Sequence, residues 1–89
     1  MDIKIRIENA RVEGEWIEGD IVIGVTDIGL SKTQHFKTKQ NAEETFDLGV
    51  ATLKVRITLN PPNQVCLEGK ISKGFISFDI PKQCFPIGG

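Results

Sequence analysis

The sequence predicts an all-β domain, a small antiparallel β-sandwich or barrel of about seven to eight strands. Three observations carry this expectation. Branched aliphatic residues alternate with polar ones in short runs, turn signals rich in Gly, Pro and Asn separate the runs, and no long apolar pattern at helical spacing occurs. A further regularity is that one half of the chain resembles the other, so two similar three-stranded meanders are expected to face each other across a core.

The first strand reads IKIRI at 3–7, with Ile3, Ile5 and Ile7 on one side and Lys4 and Arg6 on the other. LKVRI at 53–57 repeats it position by position. Downstream of each, VEGEWIEGDIVIGV (12–25) aligns with LEGKISKGFISFDI (67–80), sharing the Glu-Gly pair and a later glycine. The loop NPPNQ (60–64) enlarges the second connection, and its prolines make it a turn. The repeat therefore spans 3–25 and 53–80, joined by 26–52 and followed by a tail, 81–89, all within one domain of 1–89.

Two-residue hairpin loops are expected at Glu18-Gly19 and Lys73-Gly74, where glycine accepts a positive φ. That register places Trp16 opposite Ile21 and inside the core, because its counterpart in the repeat is Ile71. It turns Ile17, Val22 and Phe75 to the outer faces and exposes Glu13, Glu15 and Asp20, with Glu18 in the turn. Between the repeats, Asp27-Ile28-Gly29 reads as a turn, 30–38 as a weak strand, and 39–44 as a polar loop or single helical turn. Phe46, Leu48 and Val50 have the opposite parity from Leu53 and Val55, which asks for a bulge or corner near Ala51-Thr52.

The totals bound function more than they define it. Eighty-nine residues give a thin core, since a chain of this size removes only roughly 60 to 70% of its unfolded surface from water. Eleven basic and twelve acidic residues leave a net charge of −1. With no run of Lys or Arg, a nucleic-acid partner is disfavoured. The opening is neither a secretion signal nor a membrane span, so a soluble, cytoplasmic location is the default expectation, or an extracellular one for a mature or excised domain.

Few residues invite chemistry. His35 is the only histidine and is expected on the solvent face of its strand. A dyad with Cys66 or Cys84 is formally possible, but neither cysteine lies at a helix N-terminus or in a basic cluster. The cysteines default to reduced thiols, although pairing of Ile80 with Leu67 would bring them within disulfide reach. Glu13, Glu15, Glu18 and Asp20 are the one calcium candidate. Because the second copy of the repeat keeps only one of these carboxylates and calcium needs about six or more converging oxygens, a solvated acidic face is the better reading. No cofactor is expected. The ending FPIGG resembles the diglycine tail of ubiquitin-like carrier and modifier proteins, which implies acyl activation at Gly88-Gly89 and a β-grasp fold with a substantial helix. Only 39–46 is available for that helix.

These readings favour a non-enzymatic binding or assembly module that acts through protein or glycan contacts and self-associates. The candidate contacts are Ile17, Val22 and Phe75, with Lys4, Arg6, Lys54 and Arg56 as two matched basic stripes. An inhibitor-like or adhesive variant of this reading presents the Asn60–Asn63 loop, where Pro61 and Pro62 lower the ordering cost of binding. A carrier acting through Gly88-Gly89 is the alternative from another class.

Overall fold

A computed structural model describes residues 2–88. Their strands are β1 (Ile3–Glu13), β2 (Trp16–Val25), β3 (Leu30–Lys39), β4 (Glu43–Asp47), β5 (Thr52–Asn60), β6 (Gln64–Lys73) and β7 (Ile76–Pro86). A single 3-10 turn, Thr26–Ile28, leads from β2 to β3 and ends at Gly29, whose φ of 66° is left-handed. Two antiparallel meanders result, β1-β2-β3 and β4-β5-β6-β7. The expected all-β architecture of two small sheets is what the chain adopts.

The core lies between the sheets. Ile5, Ile7, Ile17, Ile21, Ile23, Val25, Leu30 and Phe36 come from the first, and Leu53, Val55, Ile57, Val65, Leu67, Ile71 and Ile80 from the second. Period-two alternation puts them there, because successive side chains on a strand point to opposite faces. One polar residue is fully buried with them, Thr38, whose hydroxyl donates to Glu44 Oε1 at 2.9 Å and so ties the end of β3 to β4.

The two halves differ more than their sequences suggest. Residues 3–25 form one long two-stranded hairpin, whereas 52–86 form three strands, so the first copy is not a three-stranded meander. The first turn falls at Gly14-Glu15, with Glu13 opposite Trp16, and the second at Gly74-Phe75, with Lys73 opposite Ile76. Neither Glu18-Gly19 nor Lys73-Gly74 is the loop. Gly14 and Gly74 are the true counterparts, with φ of 64° and 62°.

This shift in register reverses the expected burial around the tryptophan. Ile17 is fully buried and Trp16 is 40% exposed, so Ile17 is a core residue and no contact candidate. The cause is a bulge in β1 between Glu8 and Arg11, where Asn9 adopts a left-handed φ of 56°. An inserted residue flips the parity of all that follows. Gly19 accommodates the bulge: a Cβ there would meet Glu8 O at 3.1 Å, Ala10 Cα at 3.2 Å and the Phe36 ring at 3.2 Å.

Between β4 and β5 the parity change is absorbed by a turn over 48–51, closed by Leu48 N–H donating to Ala51 O at 2.8 Å. β4 and β5 pair within one sheet, so no strand switches sheets there. The segment expected as a tail is strand as far as Pro86. Beyond it, Ile87 N–H donates to Asn63 O at 2.9 Å and Gly88 N–H to Ala10 O at 3.0 Å, stitching the chain end to β1. Gly89 lies outside the described residues.

Candidate functional site

Three features of the surface stand out from the packing. The first is a polar cluster on the outer face of β1-β2-β3. Glu18 and Asp20, two apart on β2, share that face, with Arg11 of β1 opposite Glu18 and His35 of β3 opposite Asp20. His35 Nδ1 lies 3.0 Å from Asp20 Oδ1 and its Nε2 3.1 Å from Glu18 Oε2. Arg11 donates to Glu18 Oε1 through Nη2 and Nε, at 2.6 and 2.9 Å, and Asn9 Nδ2 donates to Asp20 Oδ2 at 3.2 Å.

Both ring nitrogens of His35 therefore face carboxylates, an arrangement that suits the imidazolium form. Asp20 and then Glu18 raise its pKa above the ordinary 6.5. Arg11 and then His35 lower that of Glu18, while His35 and then Asn9 lower that of Asp20. A protonated ring held on both sides has no lone pair for base catalysis or for a metal. Arg11 and Asn9 were not singled out from sequence. Placing the turn at Gly14-Glu15 would have revealed Arg11, since it sets that residue across from Glu18.

The linkage has a definite direction. Because the folded pKa of His35 is raised, its contribution to stability is complete below about pH 6.5 and fades as pH climbs through the raised value. The depressed carboxylates contribute fully above about pH 4.5 and lose this as pH falls through their folded values. In urea titrations at about pH 5.5 and about pH 8.5, wild type should lose more stability than His35→Gln on going to the higher pH. By NMR, the His35 midpoint should lie above 6.5 and drop in Asp20→Asn; a midpoint at or below 6.5 in wild type would refute the pairing.

The four carboxylates once grouped as a calcium candidate are thus separately engaged. Glu18 and Asp20 belong to this cluster, Glu15 lies 3.5 Å from Lys39 Nζ, and Glu13 is exposed at the end of β1. Among the described residues no three His, Cys, Asp or Glu side chains are grouped to hold a metal ion. Next to Glu15, the Trp16 ring is flanked by Lys37 and Lys39, with Nζ atoms 5.7 and 5.4 Å from its centroid. That distance is within cation–π range.

The second feature is the tip of the β6-β7 hairpin. Phe75 is fully exposed there, Ile76 is 59% exposed, and Val50 in the neighbouring β4-β5 turn is 47% exposed. Val22, the other outer-face aliphatic, is half-buried in the middle of β2, away from Phe75. The third is a hollow of about 370 Å³ at the opposite end of β6, walled by Val12, Leu59, Pro61, Pro62 and Ile87. The Asn60–Asn63 loop and the end of the chain thus come together around one cavity.

Other sequence candidates have plain structural roles. Cys66 and Cys84 face each other across β6 and β7 and form a disulfide, in place of two free thiols. Lys4, Arg6, Lys54 and Arg56 are all exposed on the two outer faces, where Arg6 Nε donates to Glu8 Oε2 at 2.9 Å and Lys54 Nζ stands 3.5 Å from Glu43 Oε1. Among the described residues no helix is long and apolar enough to cross a membrane, and no helix of the kind the β-grasp fold uses is present. No protein-family model, curated protein or solved structure matches the chain.

Proposed function

We propose that this chain is a non-catalytic β-sandwich module that works by protein–protein contact and assembles with copies of itself through the Phe75 hairpin tip. The observation that carries this reading is the full exposure of Phe75 beside a largely exposed Ile76. A lone exposed leucine or valine is ordinary, but an aromatic ring and a β-branched neighbour held out on a hairpin tip are the kind of group that anchors interfaces. The rest of the surface supports the same reading. Its one imidazole is bracketed by carboxylates and its thiols are joined, which leaves the usual nucleophile–base pairs without members.

Size-exclusion chromatography with light scattering tests it. Wild type should show a mass above that of one chain, rising with concentration, and Phe75→Ser should run as a monomer with an unchanged melting curve, since the removed ring is packed against nothing. A wild-type protein that stays monomeric at all concentrations, or a Phe75→Ser variant that associates as wild type does, would show the reading to be wrong.

A further inference from the structure

The exposed apolar residues are sorted by position along the molecule. Its long axis is 37 Å against 21 and 19 Å across, a length that a strand of ten or eleven residues spans at ~3.3 Å per residue. Thr52 pairs with Ser72 and Asp47 with Thr52, so Val50 lies at the same end as Phe75 and Ile76. Val12 lines the hollow beside the β5-β6 turn, at the other end of β6, and Trp16 follows on the same hairpin. Every large hydrophobic residue left exposed among those described is thus at one end or the other. Charged residues cover the sheet faces between them.

The two ends differ in shape and in charge. One carries a projecting ring, and the other an uncharged hollow whose wall is stiffened by two prolines. Lys73 adjoins the ring and Glu13 adjoins Val12, and among the described residues neither has an ion-pair partner. A two-fold contact between tips would bring Lys73 against its own copy, whereas a tip placed in the hollow of another chain brings it towards Glu13.

We infer that Phe75 of one copy seats in the hollow formed by Val12, Leu59, Pro61, Pro62 and Ile87 of the next. This rests on the self-assembly reading and specifies its geometry: head to tail, with a free tip and a free hollow left at the ends of every string, so that growth does not close. The 21 × 19 Å cross-section limits each contact to roughly 400 Å² per copy, which belongs to the weak, transient class of interfaces. Strings should therefore lengthen with concentration and shorten on dilution.

Two variants separate donor from acceptor. Phe75→Ser removes the tip and keeps the hollow; Val12→Lys keeps the tip and places a like charge where Lys73 would arrive. Each alone should be monomeric, and an equimolar mixture should give a 1:1 pair and nothing larger, read by light scattering or native mass spectrometry. If Val12→Lys has no cooperative melt, Asn63→Lys on the exposed loop takes its place. Assembly of the acceptor variant as in wild type, or a mixture that stays monomeric, overturns the head-to-tail contact while leaving self-assembly through Phe75 intact. A monomeric wild type overturns both.

Discussion

Replacing Gly69 by alanine is expected to remove most of the stability of the domain. β6 bulges between Leu67 and Gly69, and this carries the Gly69 backbone hard against β5. A Cβ at this position would overlap the carbonyl oxygen of Lys54 and come to 2.9 Å from Val55 Cα. Both obstacles are main chain of an interior strand whose Leu53, Val55 and Ile57 side chains are fully buried, so neither can swing aside as a surface side chain would. Relief requires prising β5 from β6 at the centre of the larger sheet.

Overpacking of a core ordinarily costs about 1–3 kcal/mol, and a clash with backbone belongs at or beyond the top of that range. A domain of this length holds only roughly 4–13 kcal/mol in total. Gly69→Ala should therefore unfold at a much lower urea concentration than wild type, or fail to accumulate as folded protein. Gly24→Ala is the control, since a Cβ there would have only Leu30 O near it, at 3.8 Å. It should match wild type or gain up to about 1 kcal/mol, as alanine is less costly to order than glycine. Equal stability of Gly69→Ala and wild type would show that β5 and β6 are not packed this closely.

The second large effect belongs to the disulfide. Cys66 and Cys84 are 18 residues apart in sequence, and Cys66 is wholly buried. Closing a loop of that length in the unfolded chain is worth about 3 kcal/mol in the chain-entropy description. The bridge also sits just before the segment that runs past Asn63 and along β1 at Ala10, so it holds the end of β7 where those two backbone bonds form. Reduction, or Cys66→Ala with Cys84→Ala, should lower the melting temperature by roughly 10–20 °C for a domain of this size. Amide exchange should increase first at Ile87 and Gly88. Oxidised and reduced protein melting together would contradict this.

How much of this could be read from sequence depended on where the cue was local. Alternation in 3–7 and 53–57 placed Ile5, Ile7, Leu53, Val55 and Ile57 inside, and there the buried faces agree with the pattern. The errors began at Asn9. A left-handed residue inside an otherwise regular strand leaves no mark on the hydrophobic pattern, yet it reversed the parity of what followed and exchanged the places of Trp16 and Ile17.

The choice of turn failed for a related reason. Gly14 and Gly19 are equally plausible hairpin glycines, and only the tertiary neighbours of Gly19, the β1 bulge and the Phe36 ring, show that its missing side chain serves packing. Aligning the halves on their shared Glu-Gly pair then matched Gly14 with Gly69, a turn glycine with a close-approach glycine. The partners of His35 were hidden by the same slip, because Arg11 meets Glu18 only in the observed register. The hollow could not be seen from any one segment, as it is built by residues 12, 59–64 and 87 from distant parts of the chain.

Native mass spectrometry of the full chain, sprayed over a range of concentrations with and without reductant, tests self-assembly most directly. Expected is a ladder of one, two, three and more chains that shifts upward with concentration, each chain two hydrogens lighter before reduction than after it. A single bare-monomer series at every concentration would contradict assembly through Phe75, and a dimer that never extends would leave assembly standing but exclude the open head-to-tail string.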